Sequence, residues 1–139
     1  MSIQLGASAS FAKTISESDV YGFAGLTGDF NSVHINKIEA EKGIFGQRVA
    51  HGMLVGSMIS TVLGMYLPGP GALYLEQNLK FKLPVYIGDT VRAVATVTKI
   101  LDEDKGIYYL TTFIYNQREE TVIEGYAVVM YKGELDHGE

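Results

Sequence analysis

The chain has 139 residues, enough for one domain whose core needs no covalent staples. It is 47% hydrophobic and 19% charged, as a folded globular chain is, and its net charge of −5 argues against a nucleic-acid binder, whose footprint is basic. It has no cysteine, which excludes disulfides, thiol nucleophiles, iron–sulfur clusters and cysteine zinc sites.

Residues 1–16 are small and polar, with no apolar run that could form the core of a signal peptide. Residues 11–15 predict a short strand. Ser16 has the character of a helix N-cap, with Glu17 and Asp19 in the first turn. Val20, Phe23, Ala24 and Thr27 then recur at i, i+3, i+4 and i+7, the pattern of a short amphipathic helix that Gly28 ends. A polar loop, 29–34, follows, and 38–42 add one helical turn.

A second, longer helix starts near Gly52 and stops at Pro68-Gly69-Pro70-Gly71. Its apolar part, 53–67, is short of the ~20 residues a membrane span needs, and Gly56, Ser57, Ser60, Thr61 and Gly64 interrupt it. It therefore predicts a buried core helix, no membrane attachment and a cytoplasmic protein. Gly52, Gly56, Ser60 and Gly64 form one stripe of small residues. Such a stripe suits close packing against a sheet and, along other turns, a ligand channel.

From Leu73 the period becomes two. Leu73, Leu75, Leu79, Phe81 and Leu83 are expected on one face, and Tyr74, Glu76, Asn78, Lys80 and Lys82 on the other. Val91, Ala93, Ala95 and Val97 alternate in the next strand. Residues 107–115 are apolar on both faces, and 121–131 make the last strand. The closely spaced connections imply an antiparallel meander. One helix apolar all round beside a long antiparallel sheet predicts an α+β domain over 1–139 with the sheet curled around the helix. A single helix covers one face of a sheet. Tyr108, Tyr109, Leu110, Phe113, Ile114 and Tyr115 on the third strand of the meander therefore predict a homodimer.

Common catalytic signatures are missing: there is no G-x-G-x-x-G, P-loop, G-x-S-x-G or H-E-x-x-H. Asp29-x-Asn31 opens like a calcium loop, but Val33 and Ala40 occupy the fifth and twelfth positions, where oxygen ligands are required. Asp29, His34 and His51 could be imagined around a metal, and nothing else in the sequence supports it. A loop can bring Asp29 and His34 together to hold and activate one water. Gly52 opens a helix, so its N–H is free of helical bonds and suits an oxyanion, and it carries no side chain to block a substrate carbonyl. His51 is expected to secure the start of that helix by hydrogen bonding, and His137 to be solvated in a polar tail.

The segment Leu26-Thr27-Gly28-Asp29-Phe30-Asn31-Ser32-Val33-His34 resembles the hydratase motif of the MaoC-like, or (R)-specific enoyl-CoA hydratase, family. Arg48-Val49-Ala50-His51-Gly52-Met53-Leu54 resembles its second hallmark, and Leu79-Lys80-Phe81-Lys82-Leu83-Pro84-Val85 with Gly88-Asp89 also fits. One departure is Ser32, where the family often has proline. The resemblance implies a hot-dog fold, a homodimer joined edge to edge, and syn addition of water to a trans-2-enoyl-CoA to give a (3R)-3-hydroxyacyl-CoA. It implies Asp29 and His34 as the catalytic pair, Asn31 as the shaper of their loop, the Gly52 N–H on the thioester oxygen, and Ser60 as an orienting residue. No metal or cofactor is implied, since coenzyme A arrives with the substrate. Leu63 and Val128 are expected at the end of a short acyl pocket, and Arg48, Lys80 and Lys82 at the coenzyme A phosphates. The alternatives are a dehydratase on acyl-carrier-protein substrates, an acyl-CoA thioesterase and a non-catalytic acyl-CoA-binding module.

Overall fold

The computed structural model describes residues 3–133; His137 lies outside them. In chain order the elements are β1 (Ser8–Thr14), α1 (Glu17–Thr27), α2 (Ser32–Ile35), α3 (Lys37–Lys42), α4 (Gly52–Met65), β2 (Leu73–Phe81), β3 (Thr90–Asp102), β4 (Ile107–Tyr115) and β5 (Thr121–Met130). The strands form one antiparallel sheet in the order β1-β3-β4-β5-β2. None of the described helices is long and apolar enough to cross a membrane.

Local chemistry sets the N-terminal helices. Ser16 caps α1 through a capping box: its hydroxyl accepts the Asp19 N–H, and Asp19 accepts the Ser16 N–H. The bond from the Ser16 backbone, with help from Lys13, holds the Asp19 carboxyl below the usual carboxylate range. Gly28 ends α1 at φ 84°, a left-handed conformation that glycine adopts without a Cβ clash. The loop that follows is thereby turned back toward the start of α4.

The helix α4 carries the core. Leu54, Val55, Ile59, Val62 and Leu63 pack against Val91, Ala93, Ala95 and Val97 of β3, Leu110 and Ile114 of β4, and Ile123, Ala127 and Val129 of β5. Strands β3, β4 and β5 form the expected meander, but β2 does not pair with β3. It lies at the far edge against β5, because β1 occupies the free side of β3. The connection 82–89 crosses below the start of α4. There Ala50 N–H bonds to Val85 O at 2.7 Å, Ile15 N–H to Asp89 O at 2.8 Å, and Gly88 N–H to Ile15 O at 2.7 Å.

Two further expectations change. The register of β2 slips between Tyr74 and Glu76, a bulge that turns Tyr74 onto the inner face with Gln77, Leu79 and Phe81. The Tyr74 hydroxyl bonds to Gln77 Oε1, and burial pushes it up to about 12. The outer face of β4 is covered by its own surroundings. Tyr109 stacks on Tyr126 with Lys99 over its ring, and Phe113 stacks on Tyr115 under Arg92. Large apolar side chains are exposed on the edge strand at Leu73, Leu75 and Phe81 and on α4 and its end at Met53, Met65 and Tyr66, as well as at Leu26, Ile38 and Ile44 in the N-terminal half.

Candidate active site

The loop after α1 is built from side chains bonding to nearby backbone. Thr27 Oγ1 accepts the Asp29 N–H, Asp29 Oδ1 accepts the Asn31 N–H, and Asn31 Oδ1 accepts the Val33 N–H, each at 3.2 Å. Asn31 thus caps the short α2, which places His34 one turn on. Two bonds dock this turn on the segment before α4: Val49 N–H to Val33 O at 3.1 Å, and His34 Nδ1 to Val49 O at 2.8 Å.

A carbonyl can only accept, so the His34 bond places the proton on Nδ1 and leaves Nε2 with its lone pair. The Asp29 carboxylate and a His34 ring nitrogen lie within 4.8 Å of each other. One water with hydrogen bonds of ~2.8 Å on each side can bridge that span. His34, Asn31 and Gly52 line a cleft of about 580 Å³ with Phe45, Met53 and Phe81. Gly52 opens α4, and its N–H makes no hydrogen bond among the described residues. The cleft therefore offers an imidazole, with the Asp29 carboxylate close to it, and an unpaired backbone donor at the positive end of a 14-residue helix.

His51 stands at the N-cap of α4 and holds it by a hydrogen bond as expected, but not as a side-chain cap: its Nε2 reaches back to Asp29 O at 2.9 Å. Its ring stacks on His34 with centroids 3.8 Å apart. Asp29, His34 and His51 each offer a donor atom within 4.8 Å of the others. One nitrogen of each ring is committed to a carbonyl, and the two rings stack with an interplanar angle of 26°.

The other predicted residues disperse. The Arg48 guanidinium bonds to Glu17 at 2.6 Å and to the Tyr21 hydroxyl, so it braces α1 and is not free for a phosphate. Lys82 lines the cleft. Lys80 stands opposite Glu124 on the outer face of the sheet. Ser60 lines a second cleft of about 350 Å³ with Ser57, Tyr74 and Gln77, apart from the Asp29–His34 pair. Leu63 is buried in the core, and neither it nor Val128 lines the His34 cleft. Val128 stands opposite Tyr109, on the face turned away from α4, because its neighbours Ala127 and Val129 take the inward positions.

The small-residue stripe is closely packed at its first two turns. A Cβ on Gly52 would sit 2.7 Å from the Phe81 ring, and one on Gly56 would sit 2.9 Å from Leu79. The close packing of the stripe against the sheet is as expected, with β2 as the strand that approaches it. The Val49 carbonyl and the Asp29–His51 bond have no local signal in the sequence.

This antiparallel sheet curled about a central helix is the hot-dog fold. The chain belongs to the MaoC-like domain family, whose model matches residues 3–117. It is 54% identical to the (R)-specific enoyl-CoA hydratase of Rhodospirillum rubrum over 128 residues, 92% of this chain and 88% of that one. It is 40% identical to the 3-hydroxybutyryl-CoA dehydratase of Methylorubrum extorquens over 127 residues, 91% of this chain and 80% of that one. The solved (R)-hydratase of Aeromonas caviae superposes with a TM-score of 0.90 at 42% identity, covering 94% of this chain and 98% of that one.

Proposed function

We propose that Asp29 and His34 add water across the double bond of a short trans-2-enoyl-CoA to give the (3R)-3-hydroxyacyl-CoA. The chain is an (R)-specific enoyl-CoA hydratase, a hydro-lyase. The observation that carries the site is that the Asp29 carboxylate lies within 4.8 Å of a His34 ring nitrogen, while His34, its Nδ1 bonded to Val49 O, lines one cleft with Gly52, whose N–H is free among the described residues. The pair takes a proton from water as its oxygen bonds to C3. The C2=C3 electrons move toward the thioester, and the enolate oxygen is held by the Gly52 N–H. The pair then gives that proton to C2 on the same face, so that one water is added and the pair returns to its starting state. No electrons leave the substrate, so no redox group is required, and no metal is needed for this sequence of steps. The reverse reaction uses the same groups, which accommodates the dehydratase among the relatives.

A preference for short chains is supported by the packing of Phe81 on Gly52 and Leu79 on Gly56, which narrows the stripe between the His34 cleft and the second cleft at Ser60. Coenzyme A is the proposed carrier, with Lys82 as the cation that meets its phosphates. The chain is assigned to the cytoplasm, where such thioesters circulate. A homodimer joined along β2 is supported by the open edge of that strand and its exposed Leu73 and Leu75.

The test is loss of enoyl absorbance with four- to eight-carbon trans-2-enoyl-CoA, with product chirality determined. Asp29→Asn and His34→Ala are each expected to lower turnover by ~10²–10⁴-fold without unfolding the chain, the range for a general acid or base. Near-parent turnover in either variant would remove that residue from the pair. Release of free thiol would point to thioester hydrolysis. A parent that prefers eight carbons would overturn the short-chain assignment. A shift toward eight carbons in Leu79→Ala places the limit at β2, and the same shift in Leu63→Ala places it deeper in the core.

A further inference from the structure

We infer that His51, which takes no part in the proton transfers, is the residue that positions both members of the catalytic pair. This rests on the hydration reading above. His51 is 2% exposed, wedged between Phe23, with ring centroids 4.9 Å apart, and His34 at 3.8 Å. Its Nε2–H donates to the Asp29 carbonyl at 2.9 Å and so holds the peptide that carries the carboxylate. Its ring face supports the His34 imidazole, whose own Nδ1–H is fixed on Val49 O. Its backbone leads directly into Gly52, the oxyanion donor. One side chain thus touches both halves of the pair and is bonded in sequence to the third group of the site.

The tautomers follow from the partners. His34 carries its proton on Nδ1, and His51 carries its proton on Nε2, since each faces a carbonyl. That leaves His51 Nδ1 buried with no partner among the described residues. An unsatisfied buried nitrogen costs stability, and an apolar ring would fill the same space without that cost. The Nε2–H bond to Asp29 is the feature an apolar ring could not supply. Misplacing a reacting group by ~1 Å can cost ~10²-fold in rate, so a loss of alignment is readable in kcat.

The experiment compares the parent, His51→Phe and His51→Gln on four-carbon enoyl-CoA, with melting temperatures and histidine ¹⁵N spectra. The phenylalanine keeps a ring against His34 but has no donor, and the glutamine amide restores a donor at comparable reach. Expected is a fall in kcat of ~10–10²-fold in His51→Phe with KM within twofold, partial recovery in His51→Gln, and a parent His51 signal of the Nε2–H form. Parent-like kcat in His51→Phe overturns the inference. So does a loss in that variant matched by its unfolded fraction, or a His51 that carries its proton on Nδ1. A parent that does not hydrate enoyl-CoA at all would instead sink the functional reading. The spectra would still report whether His51 holds the Asp29 peptide.

Discussion

At His34 a single hydrogen bond decides which nitrogen is left with its lone pair for the proposed role as a base. Because Val49 O accepts from Nδ1, Nε2 is bare, and the imidazole needs no separate carboxylate to fix its tautomer. Asp29 is then free to share the water. One of its oxygens is engaged by the Asn31 N–H and the other has no protein partner among the described residues. The cationic candidates separate on the same kind of detail. Lys82 lines the cleft, Lys80 faces Glu124, and Arg48 is held by Glu17. Lys82→Ala is therefore expected to raise KM for enoyl-CoA by up to ~5-fold at low salt, with kcat unchanged, equivalent to the ~1 kcal/mol of an exposed charge contact. Lys80→Ala should leave KM within error, and Arg48→Ala should lower the melting temperature. Steady-state kinetics at two ionic strengths, with thermal melting, check all three.

Among the elements, β2 is the most constrained by a neighbour. A Cβ on Gly125 of β5 would sit 1.9 Å from the Asn78 carbonyl oxygen, so the two strands approach as closely as they do only because position 125 is glycine. Gly125→Ala is expected to destabilise by at least ~1–3 kcal/mol, the range for forced overpacking, and to loosen β2 from the sheet. Denaturant unfolding and amide exchange along residues 73–81 measure both effects. Helix α4 was legible from its composition, since an all-round apolar segment has to be buried. The phase of β2 was legible from Glu76 to Phe81 but not before the bulge. Alternation placed Tyr74 with Glu76, and a bulge whose geometry depends on pairing with β5 turned Tyr74 inward. The expectation that residues 29–34 are all loop also changed, because Asn31 caps a turn once Val49 is there to receive it.

For the whole molecule, the exposed edge is the dominant unfinished feature. An apolar edge strand invites pairing with another chain, and a closed two-fold dimer is the commonest way to satisfy it. Sedimentation at micromolar concentration is expected to give the mass of two chains, and Leu75→Glu to shift the population toward one. A parent monomer would refute the edge assignment. The sequence alone pointed to the fold class, the family and the pair, Asp29 and His34, proposed here as catalytic. Each rests on short-range information: the capping chemistry of Ser16, the change of period at Leu73, and motif residues a few positions apart. Tertiary structure decided which nitrogen of His34 is free, what His51 holds, where Lys82 stands relative to Arg48, and that β2 joins β1 as an edge strand of the sheet. All of these depend on partners far along the chain, Val49 for His34, Asp29 for His51, Glu17 for Arg48 and β5 for β2, and no local pattern specifies such a partner until the chain has folded.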